Sequence, residues 1–382
     1  MAEEFGRYTL VKRLGAGGMG EVFLARAHGT GEELVLKRIL PHLTENPRFL
    51  RLFLDETRIA SRLEHPNIAR IHELGEHGGT WFVAMELVAG KDLRELLKRT
   101  REQGHHLPLE VAAGIAVEIA KGLSHAHQAT DSQGRSLHVV HRDVSPHNIL
   151  IGRSGAVKLI DFGVAKAANK SVQTGTGILT GKFPYMAPEQ AHAKPVDPRT
   201  DVFALGIVLW EMVCARYLFR GKTDAATLKL VRECQVPAPS AVRDDVPEAL
   251  DRILLKALKK EPRDRYPTME AFREALSNFL SNLPPPDLAK WVAEYDDVLG
   301  WDDEEDSVVS APKSPQSKET VLGTEEKETI AESPSRATNP VRPRPMRDEV
   351  KSDEKSMEQI KALLTQVSGR PTNIGPQATS FV

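Results

Sequence analysis

Asp143 and Asn148 occur in the stretch HRDVSPHNIL at 141–150, and Asp161 follows in DFG at 161–163. Carboxylate and amide oxygens on loops between short strands suit a hard divalent cation and, through it, phosphate. In that chemistry Asp161 bridges metal to phosphates and Asn148 takes a second metal. Asp143 accepts the proton of an attacking hydroxyl. Two upstream features would complete such a site: the glycines Gly15-x-Gly17-x-x-Gly20 and the lysine Lys37.

Neither upstream feature decides the matter alone. A G-x-G-x-x-G run also makes a flexible turn or a dinucleotide fingerprint. A dinucleotide site needs a helix after the glycines, whose N-terminus meets the pyrophosphate. Here EVFLAR at 21–26 reads as a strand, with Val22 placed to roof a base. A glycine hairpin between antiparallel strands suits a lid over phosphates, because the backbone can approach without side-chain clash. Lys37, in ELVLKRI at 33–39, could equally be an ordinary strand lysine. The phosphate reading requires a carboxylate on a nearby helix. Glu56 offers it, and a Lys37–Glu56 pair would hold the ammonium against α- and β-phosphates.

These residues need elements to position them. YTLVKRL (8–14), EVFLARA (21–27) and ELVLKRI (33–39) alternate like strands between turn-formers. FLRLFLDETRIASRL (49–63) has helical apolar spacing and stops at His65-Pro66-Asn67. IARIHEL and TWFVAMEL predict two more strands. From about 92 the pattern turns helical, in DLRELLKRT and LEVAAGIAVEIAKGLSHAHQ. Short strands NILI and VKLI flank 148–160, and helices dominate from 185 to about 281. The order predicts an α+β, bilobal architecture: a small β-rich lobe at about 8–86 with one key helix, then a larger helical lobe at about 91–281. Composition shifts at LPPPD, 283–287. Residues 282–382 therefore read as a flexible, acidic, Ser/Pro-containing tail. Short helices are expected near 287–301 and 354–367.

Composition narrows the class. The 382 residues carry a net charge of −2, which gives no case for nucleic-acid binding by the whole chain. Residues 284–382 hold 19 acidic against 12 basic groups, so the acid is concentrated in the tail. Cys214 and Cys234 are the only cysteines and have no metal-ligand spacing, which fits a reducing compartment. The N-terminus lacks the basic start and apolar core of a signal peptide. The longest apolar stretch, VFALGIVLWEMVCA at 202–215, is broken by Glu211 and reads as a buried helix, not a membrane span. A cytoplasmic protein is expected.

Taken together, the motifs resemble the eukaryotic-type (Hanks-type) protein kinases, in particular the bacterial serine/threonine class. GAGGMG at 15–20, LVLK at 34–37, Glu56, HRDVSPHN at 141–148, DFG at 161–163 and APE at 187–189 occur in the family's order and spacing. The resemblance covers about 8–281. It implies ATP-dependent transfer of the γ-phosphate to Ser/Thr hydroxyls of proteins, with ATP and Mg2+, or Mn2+, in the site. Lys37, Asp143 and Asn148 would be catalytic, Asn148 and Asp161 metal ligands, and Glu56 the structural partner of Lys37. ATP would lie against Leu14, the loop Gly15, Ala16, Gly17, Gly18, Met19 and Gly20, and beyond it Val22 and Val35. Met85 would be the gatekeeper, Glu86 to Val88 the hinge and Leu150 the floor. A hydrophobic spine would run through Ala60, Ile71, Phe162 and His141 above Asp201, which makes His141 a packing residue. Asp201 with Gly206 would tie down the catalytic loop, and Arg265 would pair with Glu189.

Two positions depart from the pattern. Ser145 replaces the lysine that the family places two residues after the catalytic aspartate, and Lys182 replaces the usual threonine before Tyr185. The resemblance suggests an exchange in which Lys182 restores the charge missing at Ser145 and joins the catalytic set. Arg142 would bind a phosphate on the loop NKSVQTGTGILTGKF, with Lys166 joining it. That loop carries Ser171, Thr174, Thr176 and Thr180. Thr174 and Thr176 fall at the family's autophosphorylation positions, which self-association would serve. A pseudokinase scaffold is the alternative that Ser145 supports. A small-molecule phosphotransferase fits less well, given the GKFPYMAPE platform, and Pro146 disfavours tyrosine specificity. Protein substrates are not legible.

Overall fold

Six antiparallel strands build the first lobe: β1 (Glu3–Phe5), β2 (Tyr8–Gly17), β3 (Gly20–Ala27), β4 (Glu33–Ile39), β5 (Ile71–His77) and β6 (Thr80–Glu86). Their order in the sheet is β1-β2-β3-β4-β6-β5. The structure is a computed structural model and describes residues 2–162 and 183–294. Side chains alternate between faces along a strand. Leu34 and Leu36 of β4 therefore join Leu10, Phe23 and Phe82 in one buried layer, while Val35 packs on the opposite face with Val22. Lys37 shares that second face, opposite Val22 on β3 and Val83 on β6.

One helix crosses this sheet. It is α2 (Pro47–Ala60), preceded by the single turn α1 (Pro41–Thr44). Asn46 starts it, its side chain accepting from the amides of Arg48 and Phe49 at 3.0 and 3.1 Å. Pro47 follows at a position where a missing N–H costs nothing. The helix buries Phe49, Leu50, Phe53, Leu54, Thr57 and Ala60. Glu56 stands beside that stripe.

The second lobe begins with β7 (Gly90–Asp92), α3 (Leu93–Glu102) and α4 (Leu109–His127). The hairpin β8 (Ile149–Gly152) and β9 (Val157–Leu159) adds to β7 in a three-stranded sheet. Then come α5 (Pro188–Ala191), α6 (Arg199–Cys214), α7 (Asp224–Glu233), α8 (Glu248–Ala257), α9 (Met269–Leu280) and α10 (Leu288–Glu294). Helix α6 is buried on all sides from Thr200 to Cys214. A helix apolar all round belongs in the centre of a lobe, and its two acids, Asp201 and Glu211, both serve neighbouring loops.

The two-lobed α+β fold is the one expected, and the strands and helices read from the sequence up to about residue 281 are present among the described residues. Strands β1 and β7 and the turn α1 were not anticipated. A three-residue strand leaves no alternation to detect. Strand β1 is held by its tertiary contacts: Phe5 packs edge-on against His77 and Phe82, at 5.0 and 5.5 Å between ring centres. Of the segment 287–301, Leu288–Glu294 is helical. Lys166, Ser171, Thr174, Thr176, Thr180, Lys182 and the segment 354–367 lie outside the described residues. No helix among the described residues is long and apolar enough to cross a membrane.

Candidate active site

The loop 141–148 is held by a buried carboxylate. Asp201, at the start of α6, accepts from the backbone N–H of His141 at 2.7 Å and of Arg142 at 2.8 Å. The His127 ring, at the end of α4, lies 2.8 Å from the same carboxylate. Burial alone would push the Asp201 carboxyl up, but these hydrogen bonds outweigh it and hold the group below the usual carboxylate range. Arg142 adopts a left-handed backbone, φ 62°, a conformation that costs about 1 kcal/mol and persists only where the surroundings impose it. The Asp201 grip and the bond from Gln190 Nε2 to the Arg142 carbonyl, 3.0 Å, supply that constraint.

The side chains of this loop are mutually oriented. Asn148 Nδ2 donates to the Asp143 carbonyl at 2.8 Å and to Asp143 Oδ2 at 3.0 Å. The amide oxygen of Asn148 is thereby turned away from Asp143. The hairpin then explains how Asp161 joins them. Strand β8 leaves from Asn148 and β9 returns to Asp161, with Ile149 opposite Leu159. The Ile160 amide bonds the Asn148 carbonyl at 2.9 Å, so residues thirteen apart in sequence sit together at the hairpin's open end. His141 is fully buried and packs on Phe162 with ring centres 4.6 Å apart, as its reading as a packing residue requires.

The pairing of Lys37 corrects one expectation. Lys37 Nζ donates to both Oδ1 and Oδ2 of Asp161 at 2.9 Å. Its anticipated partner Glu56 instead faces Arg142, with 3.8 Å between charged atoms. Glu56 Oε2 is buried with no hydrogen-bond partner among the described residues. Burial therefore dominates its titration. The carboxyl is pushed up to about 7, against the opposing pull of Arg142. Helix spacing placed Glu56 on the correct side of α2. It could not say which of two nearby cations, or Lys37 which of two carboxylates, would win.

An apolar cluster adjoins these groups. Val22, Val35, Ala69, Val88, Leu150 and Ile160 pack together, with Leu14, Met85 and Leu87 at the edge, and Leu150 is completely buried. Glu86 turns its side chain away, to Lys158 at 2.7 Å and the Arg70 amide at 3.1 Å. The glycine loop joins β2 and β3 where Gly17 faces Gly20. Gly20 is obligatory there, since a Cβ would lie 2.0 Å from the Arg38 carbonyl oxygen. Oxygen donors from Asp161 and Asn148, a lysine and an apolar cluster suit a phosphate-bearing ligand and a hard divalent cation. Ser145 is fully buried, and its hydroxyl has no hydrogen-bond partner among the described residues.

The loop beyond the cleft is anchored to the same scaffold. Arg265 grips Glu189 through two bonds of 2.8 and 2.7 Å, and Thr200 Oγ1 adds a third at 2.8 Å. Burial pushes Glu189 up, and the Arg265 and Thr200 bonds outweigh it, leaving it below its ordinary range. Tyr185 donates its hydroxyl to Glu211 at 2.9 Å, and the Leu218 amide reaches the other oxygen at 3.3 Å. Burial raises the Glu211 carboxyl to about 7.

Residues 8–276 match the protein kinase domain family. The chain belongs to this family. Among curated relatives, a tyrosine-protein kinase, MasK of Myxococcus xanthus, is 45% identical over 284 residues, covering 74% of this chain and 44% of MasK. The serine/threonine-protein kinase PrkC of Bacillus subtilis is 36% identical over 267 residues, covering 69% of this chain and 39% of PrkC. The chain thus spans less than half the length of these relatives. The solved PknI kinase domain of Mycobacterium tuberculosis has a TM-score of 0.56 at 29% identity and covers 72% of this chain and 97% of that domain.

Several residues of this protein kinase site carried no readable signal. His127, Thr200 and Gln190 are unremarkable in sequence and become important only through the Asp201, Glu189 and Arg142 groups they meet. Glu211 did carry one, as the acid that interrupts a long apolar helix.

Proposed function

We propose that this chain is an ATP-dependent serine/threonine protein kinase. The observation that carries the reading is the juxtaposition of Asp143, Asn148, Asp161 and Lys37 at one end of the β8–β9 hairpin, against the apolar slot. ATP supplies the transferable phosphoryl group, and Mg2+, with Mn2+ as a substitute, offsets its negative charge. Asn148 and Asp161 would hold the metal and Lys37 the phosphates. Met85, Glu86 and Val88 edge the base slot, and Leu14, Ala16 and Gly18 belong to its lid. Asp143, oriented by Asn148, takes the proton from the protein hydroxyl. The work of the chain is positioning and charge stabilisation, with no covalent link to the enzyme.

The described arrangement reads as a resting form. Asp161 must exchange Lys37 for metal, and Lys37 then turns to Glu56. A phosphate on Thr174 or Thr176 would draw Arg142 away from Glu56 and favour that exchange. Phosphosite mapping of active protein tests this, and absence of phosphate from 171–180 contradicts it. The compensation of Ser145 by Lys182 is tested by Lys182→Ala. A large fall in kcat, partly restored by adding Ser145→Lys, supports it, and full activity refutes it.

A second reading concerns the acceptor. The relative at 45% identity is named a tyrosine-protein kinase, and Ser145 removes the lysine expected beside Asp143. Tyrosine as a further acceptor is distinguished by phosphoamino-acid analysis of the products. The family match and the lack of a membrane-spanning helix among the described residues fit protein substrates in the cytoplasm.

A further inference from the structure

The family match ends at residue 276, yet the chain continues in contact with the site's supports. After Pro284–Pro286, helix α10 is started by Asp287, whose side chain accepts from the Lys290 amide at 2.9 Å. Trp291 and Val292 are 4% and 1% exposed and join the same apolar core as α4 and the β8–β9 hairpin. Two glycines mark where this segment docks. A Cβ on Gly114 of α4 would sit 2.9 Å from Cβ of Pro286. A Cβ on Gly155, in the β8–β9 turn, would sit 2.5 Å from the Ala289 nitrogen. At Gly155 backbone lies on backbone, which glycine permits, and at Gly114 the Pro286 ring fills the place of a side chain.

The position of these contacts gives them meaning. Gly155 is at the closed end of the hairpin whose open end carries Asn148 and Asp161. Helix α4 ends in His127, which holds Asp201 and so the catalytic loop. The strap therefore touches the two elements that set the predicted metal ligands and their anchor. We propose that residues 284–294 are a positioning element of the metal site, clamping the β8–β9 turn against α4 and thereby fixing Asn148 and Asp161. The proposal rests on the reading of the cleft as an ATP and Mg2+ site.

Thermodynamic reciprocity provides the test. If the strap stabilises the metal-binding geometry, occupancy of that site must stabilise the strap. Amide hydrogen exchange is measured on the full chain with and without ATP and Mg2+. The expected result is slower exchange, by about 5-fold or more, at 288–294 and 153–156 as well as in the glycine loop. In parallel, Trp291→Ala raises the Mg2+ concentration for half-maximal activity by about 5- to 10-fold, and Trp291→Phe restores most of it. Protection of the glycine loop with none in α10 overturns the strap proposal and leaves the nucleotide reading standing. A Trp291→Ala protein with a lower Tm but unchanged Mg2+ dependence also overturns it, as a purely structural role. No protection anywhere overturns the nucleotide reading, and the strap proposal with it.

Discussion

Lys37 grips both carboxylate oxygens of Asp161 at 2.9 Å, and Glu56 is left facing Arg142 across 3.8 Å. Under the proposed function, Lys37, Asp161 and Glu56 are thus present but partnered in a different order from the one that phosphoryl transfer requires. The arrangement costs stability at Glu56, where a buried carboxylate oxygen is unbonded among the described residues.

That cost has a pH signature. The Glu56 carboxyl is raised from 4.5 to about 7 by burial, so the folded protein favours its neutral form. Its contribution to stability is full below about pH 4.5, falls as pH rises through 7, and is lost above it. Partial exposure screens the effect to about 2 kcal/mol. Glu56→Gln should therefore match the wild type in denaturant unfolding at pH 5 and exceed it at pH 8. Its kinase activity should fall by about tenfold or more, since Lys37 loses the partner it needs in the working form.

Arg265 and Glu189 form a buried, two-bond ion pair, with side-chain exposures of 0% and 5%. Removing one member strands the other charge in the interior. Arg265→Ala should cost about 3–5 kcal/mol in chemical denaturation. Arg265→Lys should recover only part of it, because one ammonium cannot also satisfy the carbonyls of Arg199, Lys259 and Lys260 that the guanidinium bonds.

Tyr185→Phe should separate the two substrates. The hydroxyl lost is the one donated to buried Glu211, at a stability cost of about 1–3 kcal/mol. Tyr185 lies in the loop before α5, away from the nucleotide slot. KM for a protein substrate should rise while KM for ATP stays within about twofold. Equal rises in both would contradict this placement.

Gly20→Ala should damage the nucleotide lid specifically. The added carbon meets the Arg38 carbonyl at 2.0 Å, so β3 must shift from β4 exactly where the loop turns over the slot. KM for ATP should rise severalfold, read by initial-rate kinetics at saturating protein substrate.

Motif spacing picked out Asp143, Asn148, Asp161 and Lys37, which the fold brings together. Asn148 and Asp161, thirteen positions apart, meet because the β8–β9 hairpin between them folds back on itself. In the structure, strand alternation puts Val35 and Lys37 on one face of β4. The partner of Lys37 was read as Glu56 and is Asp161, because spacing along the chain does not fix where α2 sits on the sheet. His127 read as one more residue at a helix end, since its role exists only relative to Asp201 on α6. Gly114 and Gly155 read as ordinary helix and turn glycines, and their closeness to Pro286 and Ala289 needed the folded chain.

Phosphoryl transfer through Asp143 is tested most directly with labelled nucleotide. Wild-type chain and Asp143→Asn are incubated with γ-labelled ATP, Mg2+ and a generic protein substrate, and the products are hydrolysed for phosphoamino-acid analysis. The wild type should place label on serine and threonine, reduced at least about 100-fold in the variant. A wild-type chain that binds ATP and Mg2+ yet transfers no label, or a variant that transfers as well as wild type, would contradict it.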